Sequence, residues 1–212
     1  MNSPKKALLG SLLALSATSA FAVDTADLRV IGTIAPTACT PTFGSGATVD
    51  YGNIPTASLS ATNLTLLAAH TIAYTISCDA PISIATSWSD NRAGTAYLGA
   101  VDAFGLGLQD AAKIGYYRIT QIVGGATADG APVDIIQKNN AASAWVLSTD
   151  PRQTNDGVRM YSYAPTGTLV PGSYTNFSGV LSVVARIAPT STLDLSSSIT
   201  LDGLSTISVR YL

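Results

Sequence analysis

Charge is what this sequence has least of. Asp, Glu, Lys and Arg make up 11% of its 212 residues, where about 25% is usual for a soluble domain. Acids outnumber bases, 13 to 11, so no basic surface exists to displace counterions, and nucleic-acid binding is excluded. A chain this poor in charge and 47% hydrophobic is expected to work packed against something, because surfaces that stay in water carry more charge. Histidine occurs once, at His70, which excludes a histidine metal cluster and leaves any nucleophile only one imidazole partner. Cysteine occurs twice, at Cys39 and Cys78, and neither has a metal-ligand or redox-motif neighbour. Beyond the first 22 residues no apolar run is long enough to cross a bilayer as a helix. Helical periodicity with caps at both ends is missing throughout.

The beginning of the chain is distinctive. A basic start containing Lys5 and Lys6, an apolar run from Ala7 to about Ala17, and Ala20-Phe21-Ala22 form the three parts of a secretory signal peptide. Residues 1–22 are therefore read as a leader, and the exported chain starts at Val23. Export makes one Cys39–Cys78 disulfide the simplest use of the two cysteines. It would close a loop of about 40 residues, worth about 4 kcal/mol on the chain-entropy account.

The remainder alternates with period two. From His70 to Asp79, Ile72, Tyr74, Ile76 and Cys78 share one face, and Thr71, Ala73, Thr75 and Ser77 the other, the pattern of a half-buried strand. A strand-like run begins near Leu28 and ends at Cys39, so a disulfide would staple two strands, side by side or face to face. Thr42 to Ala61 is small and polar and reads as a loop and edge region. Asp79-Ala80-Pro81 reads as a turn, with Ile82, Ile84 and Trp88 on the next strand. Short strands follow around Ala103–Gln109, Ile114–Thr120, Val133–Ile136, Ala144–Leu147 and Val158–Tyr163. The longest is Phe177–Ile187, whose second face carries Val180 and Val184, as befits a central strand. Ile199 and Leu201 precede Asp202-Gly203, a hairpin signal, and the chain ends in the alternating Ser205–Leu212. About ten short strands separated by turns point to an all-β sandwich.

Chemistry finds little support. His70 sits at a strand start and reads as a surface or edge residue. The acids lie in turns, where Asp serves turn geometry; Asp90, Asp102 and Asp110 lack the spacing of a calcium loop. Gly105-Leu106-Gly107 lacks the third glycine and the helix of a phosphate loop. Asn63-Leu64-Thr65 and Asn176-Phe177-Ser178 match glycosylation acceptors, which matter only in a eukaryotic secretory route. No catalytic residue, metal or cofactor is assigned.

The two ends are more informative. Ile207, Val209 and Tyr211 alternate in a last strand, and a second alternating segment opens the exported chain. Either the two pair with neighbours inside one complete sandwich, or the sandwich lacks a strand and receives it from another chain by strand addition.

Gly32-Thr33-Ile34 followed by Cys39, the second cysteine closing the strand Ile72–Ile76, and penultimate Tyr211 in an alternating tail carry a resemblance. The chain resembles the pilins, the subunits of bacterial chaperone-usher fimbriae, most clearly over residues 26–80 and 172–212. It looks most like a pilin-like branch grouped as a domain of unknown function. The resemblance implies an immunoglobulin-like (pilin-type) β-sandwich, incomplete and completed by a donor strand. It places a candidate donor extension at 23–31, with Ala26, Leu28 and Val30 as donor residues, and the body at 32–212. A periplasmic chaperone would pair with the tail Ile207, Val209 and Tyr211 and hold the Leu212 carboxylate, and an outer-membrane usher would exchange its strand for the next subunit's.

The function so implied is a structural subunit of a surface fimbria serving adhesion, exported through the periplasm, with other subunits as partners and a host or surface ligand beyond them. The extension before Ile31-Gly32 is short for a donor, which also suits a tip or terminating subunit. Two competitors stand beside it. One is a tip adhesin or ligand-binding module using loops at Trp88–Tyr97 or Gly124–Gly130. The other is a periplasmic enzyme.

Overall fold

A computed structural model describes residues 28–32 and 38–212; residues 1–27, which include the expected leader and Ala26, and residues 33–37 lie outside the described residues. The strands all belong to the unit Pro36–Leu212, whereas residues 28–32 belong to a separate unit. Eight strands of five residues or more carry the architecture. They are β1 (Cys39–Phe43), β2 (His70–Ile82), β3 (Ile84–Asp90), β4 (Gly115–Gln121), β5 (Ala131–Lys138), β6 (Met160–Pro165), β7 (Tyr174–Ile187) and β8 (Ser205–Tyr211). Among the described residues, helix is confined to short 3-10 turns.

Every pairing between these strands is antiparallel. β7 is central, flanked by β2 along Tyr174–Val183 and by β4 along Leu181–Ile187. β1 adds to the far side of β2. A two-residue ribbon, Thr127–Ala128, lies beside Phe177 and Ser178 and leads into β5. From β5 the sheet continues through β6 and β3 to β8. The product is one all-β antiparallel sheet curled nearly into a barrel, with β1 and β8 as its two ends.

The alternation read in the sequence explains why it curls around a core. On β2, Ile72, Tyr74, Ile76 and Cys78 are buried while Thr71, Ala73, Thr75 and Ser77 are exposed. On β7 every second residue from Phe177 to Ile187 is buried. Phe104, Phe177, Ile76, Ile84 and Ile136 are fully enclosed. Cys39 and Cys78 stand directly opposite each other and are disulfide-bonded, so the staple joins strands side by side.

Several expected boundaries move. Residues 28–32 form no strand despite their alternation; a period-two pattern becomes a strand only where a ladder partner exists. The first strand instead starts at Cys39 and reaches into the stretch expected to be a loop. β2 runs through Asp79-Ala80-Pro81 without turning, and the break falls at Ser83. Asp202-Gly203 makes no hairpin, because the Asp202 N–H donates to the Leu106 carbonyl, far away in sequence.

A cluster of polar side chains sits inside, among other buried polar residues. The Tyr74 hydroxyl donates to Gln121 Oε1 (2.9 Å) and lies 2.8 Å from the Tyr163 hydroxyl. Gly179 faces it, and a Cβ there would stand 2.6 Å from the Tyr74 oxygen. Burial pushes Tyr74 up to about 12 and drives Tyr163 upward too.

Two outcomes follow. Unfolded tyrosines ionise near pH 10 while these phenols stay neutral in the fold, so stability is fully present below about pH 10 and falls as pH rises through about 12. In a tyrosinate absorbance titration Tyr74 and Tyr163 should ionise only as the chain unfolds, and Tyr74→Phe should flatten that fall. Cys78→Ser should cost about 2–5 kcal/mol in urea unfolding, a loss that reductant reproduces in the native chain.

Candidate functional site, an open seam in the sheet

The two ends of the sheet face each other without joining. Among the described residues β1 pairs only with β2, and β8 only with β3. The ends approach most closely where β1 begins and β8 finishes: the Cys39 N–H donates to the Tyr211 hydroxyl at 2.9 Å. At the other end of β1 the Phe43 ring lies 5.9 Å from that of Trp88, the residue paired with Ile207 of β8. β1 and β8 therefore run antiparallel across a seam.

The seam has an apolar floor. A hollow of about 280 Å³ opens beyond Phe43, and its buried floor is Ile72, Trp88, Tyr117, Ile119, Leu181 and Val183, contributed by β2, β3, β4 and β7. Phe43, Val49 and Leu204 form its rim. It runs on into a wider cleft of about 740 Å³ between the segments 49–59 and 193–201. There Ile54, Leu59, Leu195 and Ile199 share the lining with Asp50, Asn53 and the hydroxyls of Ser196, Ser197 and Ser198.

Each wall is pinned by particular groups. On the β1 side, the Tyr51 hydroxyl donates to the Val183 carbonyl (3.2 Å) and accepts from the Ala185 N–H (2.9 Å). Burial raises that phenol, and His70 packs edge-on to its ring at 4.7 Å. The lone histidine is thereby committed to holding the wall. On the β8 side, the Arg92 guanidinium donates to both carboxylate oxygens of Asp202 at 2.8 Å. The same arginine holds the Asp202 carboxyl below the usual range. Gly203 then lies against Tyr117, where a Cβ would come within 2.8 Å of the ring. Only glycine lets the chain pass that close.

The residues singled out in the sequence fall into three groups. Ile207 and Val209 are half-buried and pack on the core beside the seam, whereas Tyr211 and Leu212 are exposed. Leu28 and Val30 are exposed at 90% and 87%, and Ala26 lies outside the described residues. Asp90, Asp102 and Asp110 are not brought together. Asp90 accepts from the backbone of Arg92 and Gly105, and Asp102 is ion-paired with Arg118 and Arg152. Among the described residues no cluster of His, Cys, Asp and Glu is arranged to hold a metal. In the loops proposed for ligand binding, Trp88 is buried in the seam floor, and Ala126 and Ala128 are buried.

Sequence reading missed Phe43, Val49, Tyr51 and Leu204 as parts of one site. The available signal was Val49-Asp50-Tyr51, an alternating triplet inside a stretch otherwise small and polar.

Comparison with known proteins gives a consistent result. A family described as "Protein of unknown function (DUF1120)" matches residues 28–131. Protein GltF of Escherichia coli (strain K12) is 32% identical over 245 residues, covering 97% of this chain and 96% of that protein. The uncharacterized protein YhcF of the same organism is 28% identical over 242 residues, covering 100% of both.

The apolar floor should bind a hydrophobic reporter dye in the folded state. Leu204→Asp, on the exposed rim, should weaken that fluorescence while the unfolding midpoint stays within about 0.5 kcal/mol of the parent. Equal dye binding by the two proteins would place the exposed apolar surface elsewhere.

Proposed function

The chain belongs to the DUF1120 family, and we propose that it is a structural subunit of a bacterial surface fimbria assembled by donor-strand exchange. The observation that carries this reading is the seam, where two strand edges, each bonded on one side only among the described residues, open at the Phe43 end onto a buried apolar hollow. Such an edge is a template for another chain's strand. Because β1 and β8 are antiparallel, an inserted strand is parallel to one wall and antiparallel to the other. Laid antiparallel to β8, it turns the curled sheet into an immunoglobulin-like, pilin-type sandwich that was one strand short.

The donor in this reading is residues 23–31 of a neighbouring subunit, with Ala26, Leu28 and Val30 facing the floor. Leu28, Val30 and Ile31 are large apolar residues exposed to water, which a monomer has no reason to keep. Burying each apolar side chain contributes about 1.5 to 3 kcal/mol, so a few contacts rival the whole stability of a domain, about 5 to 15 kcal/mol. An isolated subunit is then aggregation-prone, and a completed one resists dissociation. A periplasmic chaperone fills the seam first, along Ile207, Val209 and Tyr211, and an outer-membrane usher replaces it with the next subunit. The protein is exported through the periplasm, works at the cell surface in adhesion, and performs no catalysis.

Material sheared from cells and run unboiled on a denaturing gel should give a ladder that collapses to monomer on heating. Deleting Val23 to Val30 from the exported chain should abolish the ladder, and removing Ile207 to Leu212 should lead to loss of the subunit in the periplasm. A lone monomer band from the intact chain, unboiled, would overturn the assembly reading.

A further inference from the structure

A sheet curled this far could close on itself by bonding its first strand to its last, and the geometry of the two edges shows why it does not. In an antiparallel ladder, opposed residues alternate between pairs that exchange hydrogen bonds and pairs whose N–H and C=O point away from the partner. Beside β1, the Asp79 N–H donates to the Ala38 carbonyl at 3.0 Å, which sets the phase. Ala38, Thr40 and Thr42 bond to β2, and Cys39, Pro41 and Phe43 turn their backbone groups toward the seam.

The phase of β8 is fixed at both ends. The Asn91 N–H donates to the Leu204 carbonyl (2.9 Å) and the Leu212 N–H to the Ser83 carbonyl (3.1 Å). Even-numbered residues therefore bond β3, while Ser205, Ile207, Val209 and Tyr211 offer their N–H and C=O to the seam. Direct closure would set Cys39 against Tyr211, Pro41 against Val209 and Phe43 against Ile207. The contacts at the two ends of the seam, Cys39 N–H to the Tyr211 side chain and Phe43 to Trp88 beside Ile207, bring the same residues near one another without forming a ladder.

Two of the three donors on the β1 side are unusable. Proline has no N–H, and its ring occupies the space where the Val209 carbonyl would approach, which is why proline in a sheet is confined to edges. The Cys39 N–H is taken by the Tyr211 side chain. Only Phe43 keeps a free donor, against a β8 edge that is complete. We infer that Pro41 and Tyr211 act together to keep β1 from zipping onto β8, so that the sheet stays open for insertion of a strand whose main hydrogen-bonding partner is β8. The strand it is kept open for is the 23–31 segment of a second copy, whose Leu28, Val30 and Ile31 are exposed; to that extent the inference rests on the assembly reading.

Amide hydrogen exchange on the intact, disulfide-bonded chain tests it. In the native protein, the Ile207 and Val209 amides should exchange at least roughly tenfold faster than those of Thr206, Ser208 and Arg210, which bond β3. Pro41→Val restores the donor and should protect both the new amide at position 41 and that of Val209. It should also reduce uptake of a synthetic peptide of residues 24–32 relative to the native chain, and adding Tyr211→Phe should strengthen both effects. Equal protection of odd and even β8 amides in the native chain would overturn the inference, since the seam would already be zipped. So would a folded Pro41→Val whose position-41 amide stays unprotected. If Pro41→Val does not fold, Pro41→Ala restores the same donor and is read in the same way. A native chain that shows the exchange pattern yet ignores the peptide would retain the edge inference and count against the donor reading alone.

Discussion

A backbone edge in water is tolerable, but a backbone edge beside an apolar floor leaves both unpaired backbone groups and uncovered apolar surface. Everything in this molecule turns on that constraint. The sheet curls far enough for β1 and β8 to face each other, yet the link across their ends is made by a side chain, the Tyr211 hydroxyl, and not by a ladder. The central strand β7 makes the curl possible by passing from β2 to β4 along its length. Its inward residues, together with those of β2 and β4, create the floor that the seam then leaves uncovered.

The scarcity of charge fits this arrangement, because the ion pairs present are spent on fixing connections. Asp102 sits between Arg118 at 3.0 Å and Arg152 at 2.8 Å, and Arg152 also reaches Asp150. These pairs gather the segments around residues 102, 118 and 152, which backbone bonds from Gln121 to Pro151 and from Gln153 to Ile119 also join. Arg92 and Asp202 do the same at the seam, where the segment before β8 has no strand partner of its own. Exposed pairs of this kind add little stability individually; their effect is to choose one loop path.

Much of the fold was legible because burial enforces period two. Ile72 to Cys78 and Phe177 to Ile187 alternate in sequence and alternate in burial. The outward Val180 and Val184 marked β7 as central, and it is paired on both sides. The disulfide followed from counting cysteines. The failures share a cause, which is that pattern does not name a partner. Leu28 to Gly32 alternates without forming a strand, and Asp79-Ala80-Pro81 carries turn residues inside a continuous one. The alternating tail did become the last strand, but the residues of the rim beside it were not legible. Phe43, Val49 and Tyr51 come from one stretch and Leu204 from another far away in sequence, and only the curling of the sheet brings the two together.

The disulfide lies at the narrow end of the seam, where Cys39 is tied covalently to Cys78. Phe43, at the other end of β1, rests on Trp88 beside the wider hollow. β1 is thus tied covalently to β2 at its first residue and held at its last by ladder pairing and ring packing. Ladder bonds at the Phe43 end lack the covalent backing that Cys39 has, so local opening costs less there. A strand laid in this seam, as the assembly reading requires, would meet a covalent tie at one end and the packed Phe43 ring at the other.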